Sequence, residues 1–182
     1  NKIKNISKEL KEKEYIFVPN FIENECYLNI LNNWPNINFF KQNNNIIKYL
    51  SVGFRCREGI FSEEDEKIIK LHPELKNLYE FLLSLQFKKV INSILSFENK
   101  DFYNYDIKST MAGNNSFLIP HVDGMSKTMN CAYNFIYFLD GNDDDLLNSG
   151  ATSIFKDNSF AKPIITPKTM KNSVLIYKSS EK

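Results

Sequence analysis

The period of the hydrophobic pattern changes near residue 100, and this change constrains the fold more than any other feature. Before it, apolar residues recur at helical spacing. Residues 62–65, Ser-Glu-Glu-Asp, read as an N-cap followed by acidic residues in a first turn, where the helix dipole favours them. Pro73 then opens a longer helix with Leu75, Leu78, Leu82, Leu85, Val90 and Ile94 at helical spacings. After Lys100 the pattern shortens to extended runs separated by turn residues: 102–110, 117–122, 130–139, 150–155, a segment around Ile164 and Ile165, and 173–177. The first half also contains a short strand over 15–18 and a helix capped by Asn20 or Asn24. Its apolar face includes Cys26, Leu28, Leu31 and Trp34, and Pro35 ends it. An asparagine-rich loop over 32–45 and a strand over 46–54 follow. Helices first and short strands afterwards predict an α+β domain in which helices buttress a β-sandwich or jelly roll.

A chain of 182 residues is expected to form a single domain with a sizeable core. Its 42% hydrophobic and 25% charged residues predict a soluble globular protein, and a net charge of +1 argues against nucleic acid or an anionic membrane as partner. Cys26, Cys56 and Cys131 are odd in number and far apart, which favours reduced thiols in a cytoplasmic protein over a disulfide or zinc framework. The longest apolar run, 132–139, is too short to span a membrane and is interrupted by Asn134. The first residue is Asn with no apolar leader behind it, so a trimmed N-terminus is expected rather than a signal peptide.

The chemistry concentrates in Phe117-Leu118-Ile119-Pro120-His121-Val122-Asp123-Gly124. Residues two apart on an extended backbone point the same way, so His121 and Asp123 stand side by side. An imidazole beside a carboxylate gives two of the three ligands of the 2-His-1-carboxylate face that holds non-haem Fe(II). The only other histidine is His72, before Pro73, where it reads as a cap on the end of the preceding helix. The acidic run 140–145 superficially resembles a calcium loop. However, Asp145 and Ala151 stand where an EF-hand needs Gly and Glu, so a solvated hairpin loop is expected. Asn134 alternates with Ala132, Ile136 and Phe138, which turns an amide toward the interior. A buried amide needs a partner, either backbone or a bound dicarboxylate. Arg55 and Arg57 are the only arginines, and their planar forks suit carboxylates; they read as substrate contacts or as a solvated surface pair.

Taken in order, Pro120-His121-Val122-Asp123, the strand ending Ile136-Tyr137-Phe138-Leu139-Asp140, the acidic loop, Ser149-Gly150-Ala151-Thr152 and the segment Lys171-Asn172-Ser173-Val174-Leu175-Ile176-Tyr177-Lys178 resemble the Fe(II)- and 2-oxoglutarate-dependent dioxygenases. The resemblance is to their prolyl-4-hydroxylase-like branch. Residues 15–22 resemble the family's opening, and the helical pair before residue 100 resembles its support layer, so the likeness covers most of the chain. It implies a double-stranded β-helix core (jelly-roll or cupin-like) over 101–182, with 1–100 as helical support. It also implies that His121 and Asp123 are catalytic metal ligands, that Fe(II) and 2-oxoglutarate are required, and that ascorbate assists.

The implied reaction hydroxylates a C–H bond of an amino-acid, peptidyl or small-metabolite substrate and releases succinate and CO2. Asn134 is the cosubstrate-binding candidate, and Arg55 and Arg57 lie in the region that contributes substrate contacts. Met111 and Leu118 fall beside the cosubstrate pocket, although as apolar residues they read as core. Phe117, Phe138 and Phe155 would shield the centre. The family's distal histidine and its basic 2-oxoglutarate anchor follow a motif like residues 172–177. The sequence given stops at Lys182, so the last strands are expected to be missing from it. The rival expectation is a catalytically inactive jelly-roll binding module. A metal enzyme of another class on a cupin-like barrel is disfavoured by the scarcity of histidine.

Overall fold

A computed structural model of the chain describes residues 2–36, 42–43, 49–57, 60–61, 63–95, 106–110, 121, 133–144, 152–157 and 161–179. The elements run α1 (Lys2–Lys13), β1 (Tyr15–Pro19), α2 (Asn24–Asn32), β2 (Gln42–Asn43), β3 (Tyr49–Arg57), β4 (Ile60–Phe61), α3 (Glu63–Leu71), α4 (Pro73–Leu83), α5 (Leu85–Leu95), β5 (Asp106–Thr110), β6 (Tyr133–Phe138), β7 (Ile154–Phe155), β8 (Pro163–Ile165) and β9 (Ser173–Lys178). The chain is α+β with small antiparallel sheets. It divides into two compact units, one made of Asn1–Tyr27 with Ile119–Lys182 and the other of Leu28–Leu118.

In the first unit β9 is the middle strand of an antiparallel sheet with order β1-β9-β6. Each β9 residue from Ser173 to Tyr177 has two register partners: Leu175 faces Phe17 and Ile136, and Tyr177 faces Tyr15 and Asn134. A strand covered on both faces needs an unbroken apolar run rather than alternation. Val174, Leu175 and Ile176 supply one and are no more than 1% exposed. On one face lie Phe138, Leu175 and Met170, joined by Phe17, Ile136 and Tyr177. Helix α1 packs against β1, and its buried Ile6 and Leu10, one turn apart, form the apolar stripe. β1 belongs to the segment read as support from the sequence, yet it is a strand of the sheet built by residues after 133.

The strand pairing in this unit is nested. β6 pairs with β9, while β7 and β8, which lie between them in the chain, pair with each other. Ile154 of β7 and Ile165 of β8 pack on the Phe138, Met170 and Leu175 cluster, so the inner pair lies against the face of the outer pair.

In the second unit β3 is the central strand, paired antiparallel with β2, β4 and β5. Tyr79 of α4 is 1% exposed, and its hydroxyl shares a 2.5 Å hydrogen bond with the Ser109 hydroxyl of β5.

Four local expectations are corrected. The helix expected to run from Pro73 through Ile94 is two helices. Ser84, with φ −69° and ψ 153°, breaks it; its hydroxyl donates to the Phe81 carbonyl at 2.6 Å and accepts from the Phe87 N–H at 3.1 Å. A serine that bonds its own backbone on both sides replaces the helical ladder at that point. The asparagine-rich loop contains β2, because Gln42 and Asn43 pair with Leu50 and Tyr49. The strand expected over 46–54 is found at Tyr49–Arg57. In α2 the buried residues are Tyr27 and Ile30, whereas Cys26 is exposed and Leu28 is 43% exposed. The apolar face is rotated from the expected one because a shift of one residue turns a helix by about 100°. The turn at 113–116 and all of the run 117–122 except His121 lie outside the described residues.

Candidate functional site

His121 is exposed, and Asp123 lies outside the described residues, so the pair itself is not described. Among the described residues no three His, Cys, Asp or Glu side chains converge, and by themselves these residues do not make an iron centre. His72 is the N-cap residue of α4 and directly follows Leu71, the last residue of α3. Its carbonyl accepts from the Leu75 and Lys76 N–H groups at 3.0 and 3.2 Å, and its ring makes no capping hydrogen bond. Pro73 explains the placement: it lacks an N–H and its fixed φ suits the first helical position.

Arg55 and Arg57 lie on β3, in register with Lys108 and Asp106 of β5. Phe138 is buried in the core, and Phe155 is half-buried on β7. Phe117, Met111 and Leu118 lie outside the described residues.

Asn134 is half-buried on β6, on the side that carries Ile136 and Phe138. Its Nδ2 donates to Ser179 Oγ at 2.8 Å, so one of its partners is a side-chain hydroxyl. Ser179 is 7% exposed and continues the parity of Leu175 and Tyr177 past the end of β9. That parity is a legible signal, but only once the β6–β9 register is known.

Asn172 was also missed. It is 5% exposed and adopts φ 44°, in the left-handed region that asparagine tolerates better than other residues with a Cβ. Its Oδ1 accepts from the Ile22 N–H at 3.0 Å and the Tyr137 hydroxyl at 3.2 Å, its Nδ2 donates to the Ile22 carbonyl at 2.7 Å, and its own carbonyl accepts from the Phe21 N–H at 2.9 Å. One buried amide thereby fixes the turn after β1, the start of β9 and the ring of β6. The Phe21 ring lies 6.1 Å from that of Tyr137. Burial pushes the Tyr137 phenol well above its usual pKa, and Tyr27 and Cys26 add to the rise. Tyr27 is raised in turn by burial and then by the Asp140 and Asp143 carboxylates.

The acidic loop is not wholly solvated. Asp140, Asn142 and Asp144 are exposed, but Asp143 accepts from the Met170 N–H at 2.7 Å and the Thr169 hydroxyl at 2.6 Å. These two donors, with a smaller effect of Lys171, hold its carboxyl below the usual range.

Set beside protein-family models, curated proteins and solved structures, the chain matches none of them. Among the described residues no helix is long and apolar enough to cross a membrane.

Proposed function

We propose that the chain carries the core of an Fe(II)- and 2-oxoglutarate-dependent oxygenase that hydroxylates an amino-acid, peptidyl or small-metabolite substrate. The observation that carries this reading is the nested strand pairing. An outer pair, β6 with β9, is packed face to face on an inner pair, β7 with β8. Such a ribbon folded over itself supports a jelly-roll core, the architecture that the resemblance around His121 and Asp123 implies. β6 is the first described strand after that pair, and it turns Asn134 to the same side as the Phe138 and Leu175 core.

In this reading His121 and Asp123 hold the metal, with a third ligand from outside the described residues. When bound, Fe(II) and 2-oxoglutarate would let O2 act as the oxidant, one oxygen atom going to the substrate C–H bond and the other to succinate as CO2 leaves, with ascorbate keeping the iron reduced. The tasks left to the protein are positional. Asn134 offers an amide to the dicarboxylate beside the apolar Ile136, Phe138 and Leu175.

The test is succinate formation by the full-length protein with Fe(II), 2-oxoglutarate and ascorbate, compared with His121→Ala and Asp123→Ala. Loss of turnover in both variants, with unchanged unfolding midpoints, supports the reading. A wild-type protein that binds ligands but forms no succinate points instead to an inactive jelly-roll binding module.

A further inference from the structure

We propose that the outer face of β8 and of the chain just after it docks an acidic peptide in extended conformation, independently of the oxygenase reading. Lys162 and Lys168 are its charge contacts and Ile164 its apolar contact. Alternation defines the face. Ile165 packs on the Phe138, Met170 and Leu175 cluster, and Pro167, two positions on, is fully buried. Successive side chains of an extended chain point to opposite sides, so Lys162, Ile164 and Lys168 lie on the side away from that core. All three are exposed, Ile164 to 44%. Thr166 shares their parity, and its hydroxyl is held at 2.9 Å by that of Ser153.

Charge selects the occupant. Residues 152–171 hold four lysines and one acid, Asp157, a net +3 within a chain of net charge +1. Phe155 is in register with Pro163, so continuing one position outward sets the exposed Lys156 beside Lys162. Like charges side by side on paired strands are unfavourable until an anion joins them. Elsewhere exposed lysines meet acids, as Lys13 meets Glu9, Lys76 meets Glu80 and Lys178 meets Glu14. Among the described residues no acid pairs with Lys156, Lys162 or Lys168. The row has no arginine and no aromatic ring, the groups with which nucleic-acid surfaces fork phosphates and stack bases. One isoleucine is also too narrow an apolar face for a membrane surface. Lys162 and Lys168, six positions apart, are separated by at most about 20 Å, the span of a short extended peptide.

The experiment is fluorescence anisotropy with the full-length protein and a short labelled peptide that has glutamate at alternate positions, valine at the central one of these and serine between. Lys162→Glu and Lys168→Glu are each expected to weaken binding about tenfold at low salt. Ile164→Ser should weaken it about fivefold. Lys4→Glu, at an exposed position of α1, should leave it unchanged. Lys162→Glu replaces like charges beside Lys156 with opposite ones, so its thermal midpoint should not fall below that of the wild type. Lost binding in that variant is then not lost folding. A peptide that does not bind, or that binds all four variants alike, overturns the proposal. So does tighter binding of a single-stranded oligonucleotide or of phosphatidylserine vesicles, which would assign the surface to another partner. Self-association of the wild type that Lys162→Glu abolishes would assign it to a second copy and overturn the peptide as well.

Discussion

Asn172 and Ile22, 150 positions apart in the chain, hold each other through both edges of one carboxamide. The Ile22 N–H donates to Oδ1 at 3.0 Å, and Nδ2 donates to the Ile22 carbonyl at 2.7 Å. A side chain that copies the two-way bonding of a β-ladder joins the turn after β1 to the start of β9. The same Oδ1 takes the Tyr137 hydroxyl. Removing the amide leaves the half-buried N–H and carbonyl of Ile22 without this partner, which adds a desolvation cost to the lost bonds.

Two substitutions separate the bonding role of Asn172 from its backbone role. Asn172→Gly loses the amide but adopts φ 44° freely, whereas Asn172→Ala loses the amide and strains the backbone. Urea unfolding at pH 7 is expected to show losses of about 2–4 kcal/mol, with Ala the worse of the two by about 1 kcal/mol. Equal losses would mean that the left-handed backbone contributes nothing.

Asp143 contributes to the acid limb of the stability curve. Its folded pKa lies below the unfolded value because the Met170 N–H and Thr169 hydroxyl favour the carboxylate. The folded state therefore binds fewer protons than the unfolded one in that window. Its stabilisation is present above the ordinary carboxylate pKa of about 4 and is lost as the pH falls below it. Asp143→Asn should flatten the fall in thermal midpoint between about pH 5 and 3. An unchanged slope would show that these bonds do not persist in solution.

Tyr137 acts on the alkaline limb. Burial raises its folded pKa above the unfolded value of about 10, so the folded state keeps a proton that the unfolded state loses. Stability is full below pH 10 and declines as the pH rises above it. Tyr137→Phe should remove this part of the alkaline decline while lowering stability at pH 7 by about 1 kcal/mol through the lost bond to Asn172. Unfolding midpoints from pH 8 to 11 test both.

Gly141 has no room for a methyl group. An added Cβ would lie 2.7 Å from Met170 Cβ and 2.8 Å from Met170 Cε. The flexible Cε can swing away, but Met170 Cβ moves only with its backbone. That backbone is tied to Asp143 by the Met170 N–H. Gly141→Ala is expected to cost about 1–3 kcal/mol in urea unfolding. A neutral result would mean that the 140–143 loop and the 169–171 turn separate at little cost.

The regular elements were legible where one physical rule decided them. Residues 133–138 and 173–178 alternate or run apolar without competition and are strands, and Pro73 starts a helix. Ser84 was not legible, because Leu82 and Leu85 continue the helical spacing across it and only its local hydrogen bonds break the ladder. The α2 face was misread because Cys26 and Leu28 are as apolar as Tyr27 and Ile30. Which of these is buried is decided by tertiary packing that the sequence does not display. The same holds for the candidate site. His121 and Asp123 stand out because they are two residues apart in sequence. The Asn134–Ser179 bond, 45 residues apart, depends on the β6–β9 register.

The most direct measurement is Fe(II)-dependent conversion of 2-oxoglutarate to succinate by the full-length protein, followed in wild type and His121→Ala. The unfolding midpoint of the variant is measured beside that of the wild type, so that turnover is compared on folded protein. The account predicts metal-dependent succinate formation in the wild type, abolished in the variant. Succinate formation that persists without His121, or none in a wild-type protein that is folded and loaded with Fe(II), would contradict it.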